Sequence, residues 1–179
     1  MSLNFYADID NFKVDSKGNV SITVKLEGWG LNNQLDNLSK LKEDGRAKIT
    51  IESAITHYKR TVDAETLEPV EFFEKDGNGV WTSVKNEQLS LEVGGEQTIE
   101  QDEEITADIV DKFLLIENYE IKGDFEPRKT LAMLSEGYSF DEIATALKFE
   151  STTELINKLN EARVEYAAMA KAWSKANEE

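Results

Sequence analysis

An α+β protein is predicted, with a mainly antiparallel sheet and at least one covering helix over residues 1–122 and a helical module over residues 123–179. Three observations carry that expectation. Apolar and polar residues alternate in several short runs through the first part of the chain, which is the period of a half-buried strand. One run between them, Leu31, Leu35, Leu38 and Leu41, has helical spacing instead. From Pro127 onward the alternation gives way to spacings of three and four, with two Ser-x-x-Glu helix starts.

The first strand is read from Phe5, Ala7 and Ile9, and the second from Val20, Ile22, Val24 and Leu26. The turn Asp15-Ser16-Lys17-Gly18-Asn19 joins them as a hairpin. Gly28-Trp29-Gly30 breaks the run, and the leucine helix that follows ends at Asp44-Gly45. A third strand is expected to place Ala47, Ile49, Ile51, Ile55 and His57 on its core face, with Thr50, Glu52, Thr56 and Tyr58 on the other. Val70 to Phe73 and Val80 to Val84 flank Asp76-Gly77-Asn78-Gly79, a strong hairpin signal. Leu89, Leu91 and Val93 suggest another strand. Glu96 to Glu104, acidic and polar, reads as an exposed connection. Ile105 to Phe113 reads as a short helix and Leu114 to Ile121 as a last strand. Gly123, Asp124 and Pro127 mark the expected domain boundary, with Pro127 suited to a first helical turn.

Two helix starts define the stretch Glu136 to Arg163. In Ser139-Phe140-Asp141-Glu142 and again in Ser151-Thr152-Thr153-Glu154, a serine hydroxyl can accept from the amide three residues on while the glutamate reaches back. Gly137 stands where an upstream helix should stop. Leu134, Gly137, Ser139, Glu142, Ile143, Ala144 and Leu147 together resemble the helix-turn-helix pattern of the homeodomain-like and resolvase-like families, over about residues 127–165. The resemblance implies a tri-helical fold whose last helix faces DNA through Thr152, Thr153, Asn157 and Lys158. This chain departs from the pattern at Lys148, where these families often carry the turn glycine. The first turn of the presumed recognition helix also lacks arginine, and Glu150 precedes it.

Leu155, Leu159, Ala162, Tyr166, Met169 and Trp173 recur at heptad-like spacing. Two uses are open: packing inside the chain, or a homodimer seam through Leu155, Leu159, Tyr166, Met169 and Trp173. Trp29, between two glycines, is either a core residue or an interface anchor.

Composition narrows the chemistry. The chain has 36 acidic and 20 basic side chains, a net charge of −16. Cut at residue 100 the acidity looks even, −7 before and −9 after. A chain of this sign has no global field for a polyanion. The sequence has no cysteine and one histidine, so zinc sites of the usual Cys/His kinds are not expected. His57 is read as structural. No apolar run reaches bilayer length and no charged-then-apolar leader precedes the first strand, so a cytoplasmic protein without a membrane partner is expected. Asp8, Asp10 and Glu27, with Glu52 and Lys59, make a crude Mg²⁺ phosphoryl-transfer set without a recognisable spacing.

No catalytic, cofactor-binding or metal residues are therefore assigned. The leading expectation is a non-enzymatic recognition or accessory protein in a nucleic-acid-related pathway of the phage or mobile-element kind. Its helical module would contact a protein partner. Sequence-specific DNA binding, an acidic nucleic-acid mimic and a metal-dependent phosphoryl-transfer enzyme stay open behind it.

Overall fold

The computed structural model describes residues 7–26, 35–45, 51–85 and 98–177. Phe5, Glu27, Trp29, Leu31, Ala47, Ile49, Leu89, Leu91 and Val93, for which expectations were set out above, lie outside these residues. The fold is α+β, and the chain divides into two compact units, residues 1–52 and 53–179.

In the first unit, β1 (Asp8–Val14) and β2 (Val20–Lys25) form the expected antiparallel hairpin. Its turn is closed by the Asp15 carboxylate, which accepts from the Lys17 and Asn19 backbone N–H groups at 2.8 and 2.9 Å. Gly18 supplies the left-handed residue, φ 81°. A bulge between Ile9 and Asn11 resets the register, so Ile9 opposes Val24, Phe12 opposes Ile22 and Val14 opposes Val20. Helix α1 (Leu35–Asp44) completes the described elements of this unit.

The second unit contains β3 (Ile55–Asp63), β4 (Glu71–Lys75), β5 (Val80–Lys85), β6 (Thr98–Thr106), α2 (Ala107–Ile116), β7 (Asn118–Tyr119), α3 (Pro127–Ser135), α4 (Phe140–Ala146) and α5 (Thr152–Asn177). β3 pairs antiparallel with β6, β4 pairs antiparallel with β5, and β7 adds to β5 in parallel.

Three expectations change here. The acidic stretch before Glu104 is a strand, β6, because Lys59, Arg60 and His57 on β3 lie beside its carboxylates. The segment Leu114 to Ile121 begins as the last residues of a helix, which ends at Ile116, and only Asn118–Tyr119 is strand. The face of β3 is the reverse of the one expected. Thr56, Tyr58 and Val62 are buried while Ile55 and His57 are exposed. Ile51 is exposed as well, and the Tyr58 face is the buried one because it joins the core with Trp81, Ile105 and Phe113.

A single core spans the segments on either side of residue 122. Tyr58, Trp81 and Ile105 from the strands pack with Val110, Phe113 and Leu114 of α2, Leu131 of α3, and Leu159, Tyr166 and Met169 of α5. Phe113 is the hub, with ring centroids 6.0 Å from Trp81, 5.6 Å from Tyr119 and 6.0 Å from Trp173. The helical segment is thus half of one core rather than a separate body. A smaller cluster of Ile143, Ala144 and Leu155, with Phe125, Met133 and Phe149 against it, holds α3, α4 and the start of α5 together.

The helix boundaries follow the sequence signals. Pro127 opens α3. Gly137 ends it at φ 93°, with Gly137 and Tyr138 N–H groups donating to Leu134 and Met133 carbonyls in a Schellman closure. Both halves of the capping box are made at Ser139 and Glu142. At the next start, Glu154 N–H donates to Ser151 Oγ, but the Glu154 carboxylate reaches back to the Glu150 N–H.

Helix α4 also closes as a Schellman motif, with Lys148 and Phe149 N–H groups on Thr145 and Ala144 carbonyls. The left-handed residue there is Lys148, φ 62°, a conformation that glycine adopts at no steric cost. Lys148→Gly is therefore expected to stabilise the second unit by about 1 kcal/mol. A melting temperature that stays level or drops would show that the lysine is not strained.

Candidate functional site

Helix α5 positions most of the sequence-selected residues and divides them into two sets. Leu155, Leu159, Ala162, Tyr166 and Met169 point inward and are buried, and Trp173 is half-buried against the same core. The heptad-like seam is filled by the protein's own strands and helices. A homodimer through these residues would require the core to open. Tyr166 illustrates the depth of the commitment: its hydroxyl donates to the Glu120 carbonyl and accepts from the Lys122 N–H, both at 2.9 Å.

The outward face is different. Thr153, Asn157, Lys158 and Asn160 are exposed, and Val164 further along is 47% exposed. Thr152 is half-buried and its hydroxyl donates to the Asp141 carboxylate, which ties the start of α5 to α4. Lys158 is engaged at 2.9 Å by Glu161 one turn on. Glu150, Glu154 and Glu165 border the same face. Among the four residues expected to face DNA, the only cation is thus paired with a carboxylate.

Around the buried half of α5, charged groups lock the elements to one another. Arg163, 8% exposed, donates through Nε and Nη2 to both oxygens of Asp111 on α2, at 2.8 and 2.7 Å. Arg128 on α3 donates to the Leu114 and Glu117 carbonyls that α2 leaves open at its end, and lies over the Tyr119 ring. The Glu117 carboxylate accepts from Trp173 Nε1 at 2.9 Å, Trp81 Nε1 at 3.2 Å and Lys75 Nζ at 2.8 Å. Burial pushes the Glu117 carboxyl up, but the hydrogen bonds from Lys75, Trp173 and Trp81 outweigh it and hold it below its usual range.

Glu103 on β6 is held in a similar way. It accepts from the Tyr58 hydroxyl at 2.5 Å and from Lys171 Nζ at 2.9 Å, and Arg60 lies 3.5 Å away. Burial pushes its carboxyl up, yet the Tyr58 and Lys171 hydrogen bonds with the Lys171 and Arg60 charges bring it down from 4.5 to about 2. A depressed carboxyl stabilises the fold at pH values above its unfolded pKa, and the contribution fades as pH falls toward the folded value. Acid titration followed by circular dichroism should therefore show stability falling between about pH 4.5 and about 2. Glu103→Gln should remove the share of that dependence that Glu103 supplies, leaving the share of Glu117 and the other depressed carboxyls, and an unchanged acid limb would show the Glu103 cluster to be irrelevant.

The remaining candidates separate. Asp10 is paired at 2.6 Å with Lys25 across the hairpin. No group of three or more metal-ligating side chains occurs among the described residues. His57 is exposed, 4.0 Å from Glu104. An open hollow of about 440 Å³ beside Glu136, Gly137, Tyr138 and Glu142 uses a carboxylate already engaged by the Ser139 cap. Among the described residues no helix is long and apolar enough to cross a membrane.

The unit boundary exposes one feature that a cut at residue 100 conceals. Residues 1–52 carry 7 basic and 8 acidic side chains, a net of −1. Residues 53–179 carry 13 and 28, a net of −15. The excess charge belongs to one unit. On the outward face of β6 it forms a row, Glu100, Asp102 and Glu104, with Lys59 against Glu100 at 2.5 Å.

No family model, no curated protein and no solved structure matches the chain.

Proposed function

We propose that the protein is a non-enzymatic recognition or accessory protein whose second unit binds another protein through the outward face of α5. The observation that carries this reading is the placement of charge. The face is built from Thr153, Asn157, Asn160 and Val164, its lysine is neutralised by Glu161, and it belongs to a unit of net charge −15. Phosphate neutralisation supplies most of the affinity for a nucleic acid, and this face has little to offer it. A protein with a neutral or basic surface meets no such barrier. The helix-turn-helix resemblance is accordingly taken to mark an assembly module in a nucleic-acid-related pathway rather than a reader of base pairs.

A photo-crosslinking residue at Asn157 tests this in cells. Protein adducts are the expected result. Adducts to nucleic acid, or a duplex mobility shift that weakens with salt, would transfer the role to direct DNA binding, and no adduct at all would count against the α5 face. Duplex DNA at low salt is expected to remain unshifted by the purified chain.

A second reading is favoured by the β6 row. Glu100, Asp102 and Glu104 recur every second residue, about 6.8 Å apart along the strand, comparable with successive phosphates of an extended single strand. An acidic mimic would capture basic nucleic-acid enzymes in a salt-sensitive way, and charge-neutral replacements at these three positions would abolish the capture while leaving the α5 adducts intact.

A further inference from the structure

The turn between β4 and β5 contains the one asparagine of twelve that is followed by glycine, Asn78-Gly79. We propose that Asn78 is a site of spontaneous deamidation in the folded protein, giving aspartate and isoaspartate through a succinimide.

The chemistry needs no partner other than water. The Gly79 amide nitrogen loses its proton to hydroxide and attacks Asn78 Cγ. The new N–Cγ bond closes a five-membered ring, the Cγ–Nδ2 bond breaks, and ammonia leaves. Water then adds to either ring carbonyl. Opening on one side restores an α-linked aspartate, and opening on the other moves the main chain through the side-chain carbonyl. The net change is one water consumed and one ammonia released, with no oxidation or reduction.

Three features of the turn leave this path open. Asn78 is exposed, and its carboxamide is held by a long contact of 3.5 Å from Nδ2 to Asp76 Oδ2. A Cβ built on Gly79 would meet nothing within 4 Å, so the attacking nitrogen belongs to an uncrowded residue. The Gly79 N–H donates to the Asp76 carbonyl at 3.0 Å, a single neutral hydrogen bond at a solvent-facing turn. Its release is a small cost beside a covalent barrier.

The rival pair in the same turn, Asp76-Gly77, is chemically quiet. Ring closure at an aspartate proceeds from the protonated carboxyl, which loses water. Asp76 Oδ1 accepts from the Val80 and Asn78 N–H groups at 2.8 Å each. Those hydrogen bonds, Val80's foremost, hold its carboxyl below the usual range. The same turn therefore protects its aspartate and leaves its asparagine reactive.

Isoaspartate at Asn78 would add a methylene to the backbone and a carboxylate beside Asp76. The Asp76–Val80 hydrogen bonds that close the hairpin would be strained, one residue before Trp81.

The test is to incubate the full folded chain in mildly alkaline buffers, digest it and follow each asparagine by mass. Asn78 is expected to convert first of the twelve, at a rate proportional to hydroxide, with the isoaspartyl product methylated by an isoaspartyl methyltransferase. Asn78→Ser should show no conversion in that peptide. Two results would overturn the proposal: an unchanged Asn78 in the folded chain while the same chain converts in guanidinium, or earlier conversion at a different asparagine.

Discussion

Replacing Asp111 by alanine is expected to lower the unfolding free energy of the second unit by about 3–5 kcal/mol. The carboxylate receives a two-pronged hydrogen bond from Arg163, a guanidinium only 8% exposed. Deleting it leaves a desolvated positive charge between α2 and α5 with Asn160 Oδ1 still in reach at 2.9 Å. That loss is a large fraction of the roughly 5–15 kcal/mol by which domains are stable. The pair itself contributes much less than its disruption costs, because both ions were taken out of water to form it. Asp111→Leu combined with Arg163→Met should therefore recover most of the loss. Urea unfolding followed by circular dichroism would read both variants. A single substitution costing below about 1 kcal/mol would place the pair among ordinary surface bridges.

The second large effect is expected at Glu117. Its carboxylate holds two indole N–H donors, from Trp81 on β5 and Trp173 on α5, and Lys75 on β4. Glu117→Ala strands both indoles in surroundings where water reaches poorly, and Trp81 is 5% exposed. With each of the two orphaned donors costing about 1–3 kcal/mol, a combined loss of about 2–6 kcal/mol is expected. Lys75 is half-exposed and adds little. Tryptophan emission should shift with the substitution, since two of the three tryptophans lose a charged neighbour. Glu117→Gln keeps one carbonyl oxygen and should retain roughly half of the effect. A Glu117→Ala chain with native emission and native urea midpoint would mean that the indoles find other acceptors.

Local chemistry was legible in the sequence wherever one residue type does one job. Asp15-Ser16-Lys17-Gly18-Asn19 and Asp76-Gly77-Asn78-Gly79 turn the chain because their aspartates accept backbone N–H groups and Gly18 and Gly79 take positive φ. Ser139 with Glu142 caps a helix for the same kind of reason. The spacing of Leu155, Leu159, Tyr166 and Met169 correctly marked one helical face. What periodicity could not say was what covers it.

The misread elements are those whose state depends on a distant partner. Glu100 to Glu104 has poor strand propensity and no apolar alternation, and it is a strand because β3 brings Lys59, Arg60 and Tyr58 against it. Thr56 and Tyr58 read as an outward face, yet both are buried, with Lys171 of α5 over the Tyr58 ring. The boundary expected at residue 122 follows a change of period, but Phe113, Tyr119 and Tyr166 interlock across it. Arg128, Asp111, Arg163 and Glu117 carried no signal at all, since each is a common charged residue whose role arises from a tertiary contact.

Helix α5 reaches back across most of its unit: Lys171 meets a carboxylate 68 residues earlier and Trp173 one 56 residues earlier. During synthesis the strands must therefore wait, with Tyr58 and Trp81 uncovered, until residue 173 has cleared the ribosomal exit tunnel. Over that interval the aromatic side of the sheet stays open to solvent, and a ribosome stalled before Arg163 would present a chain unable to close.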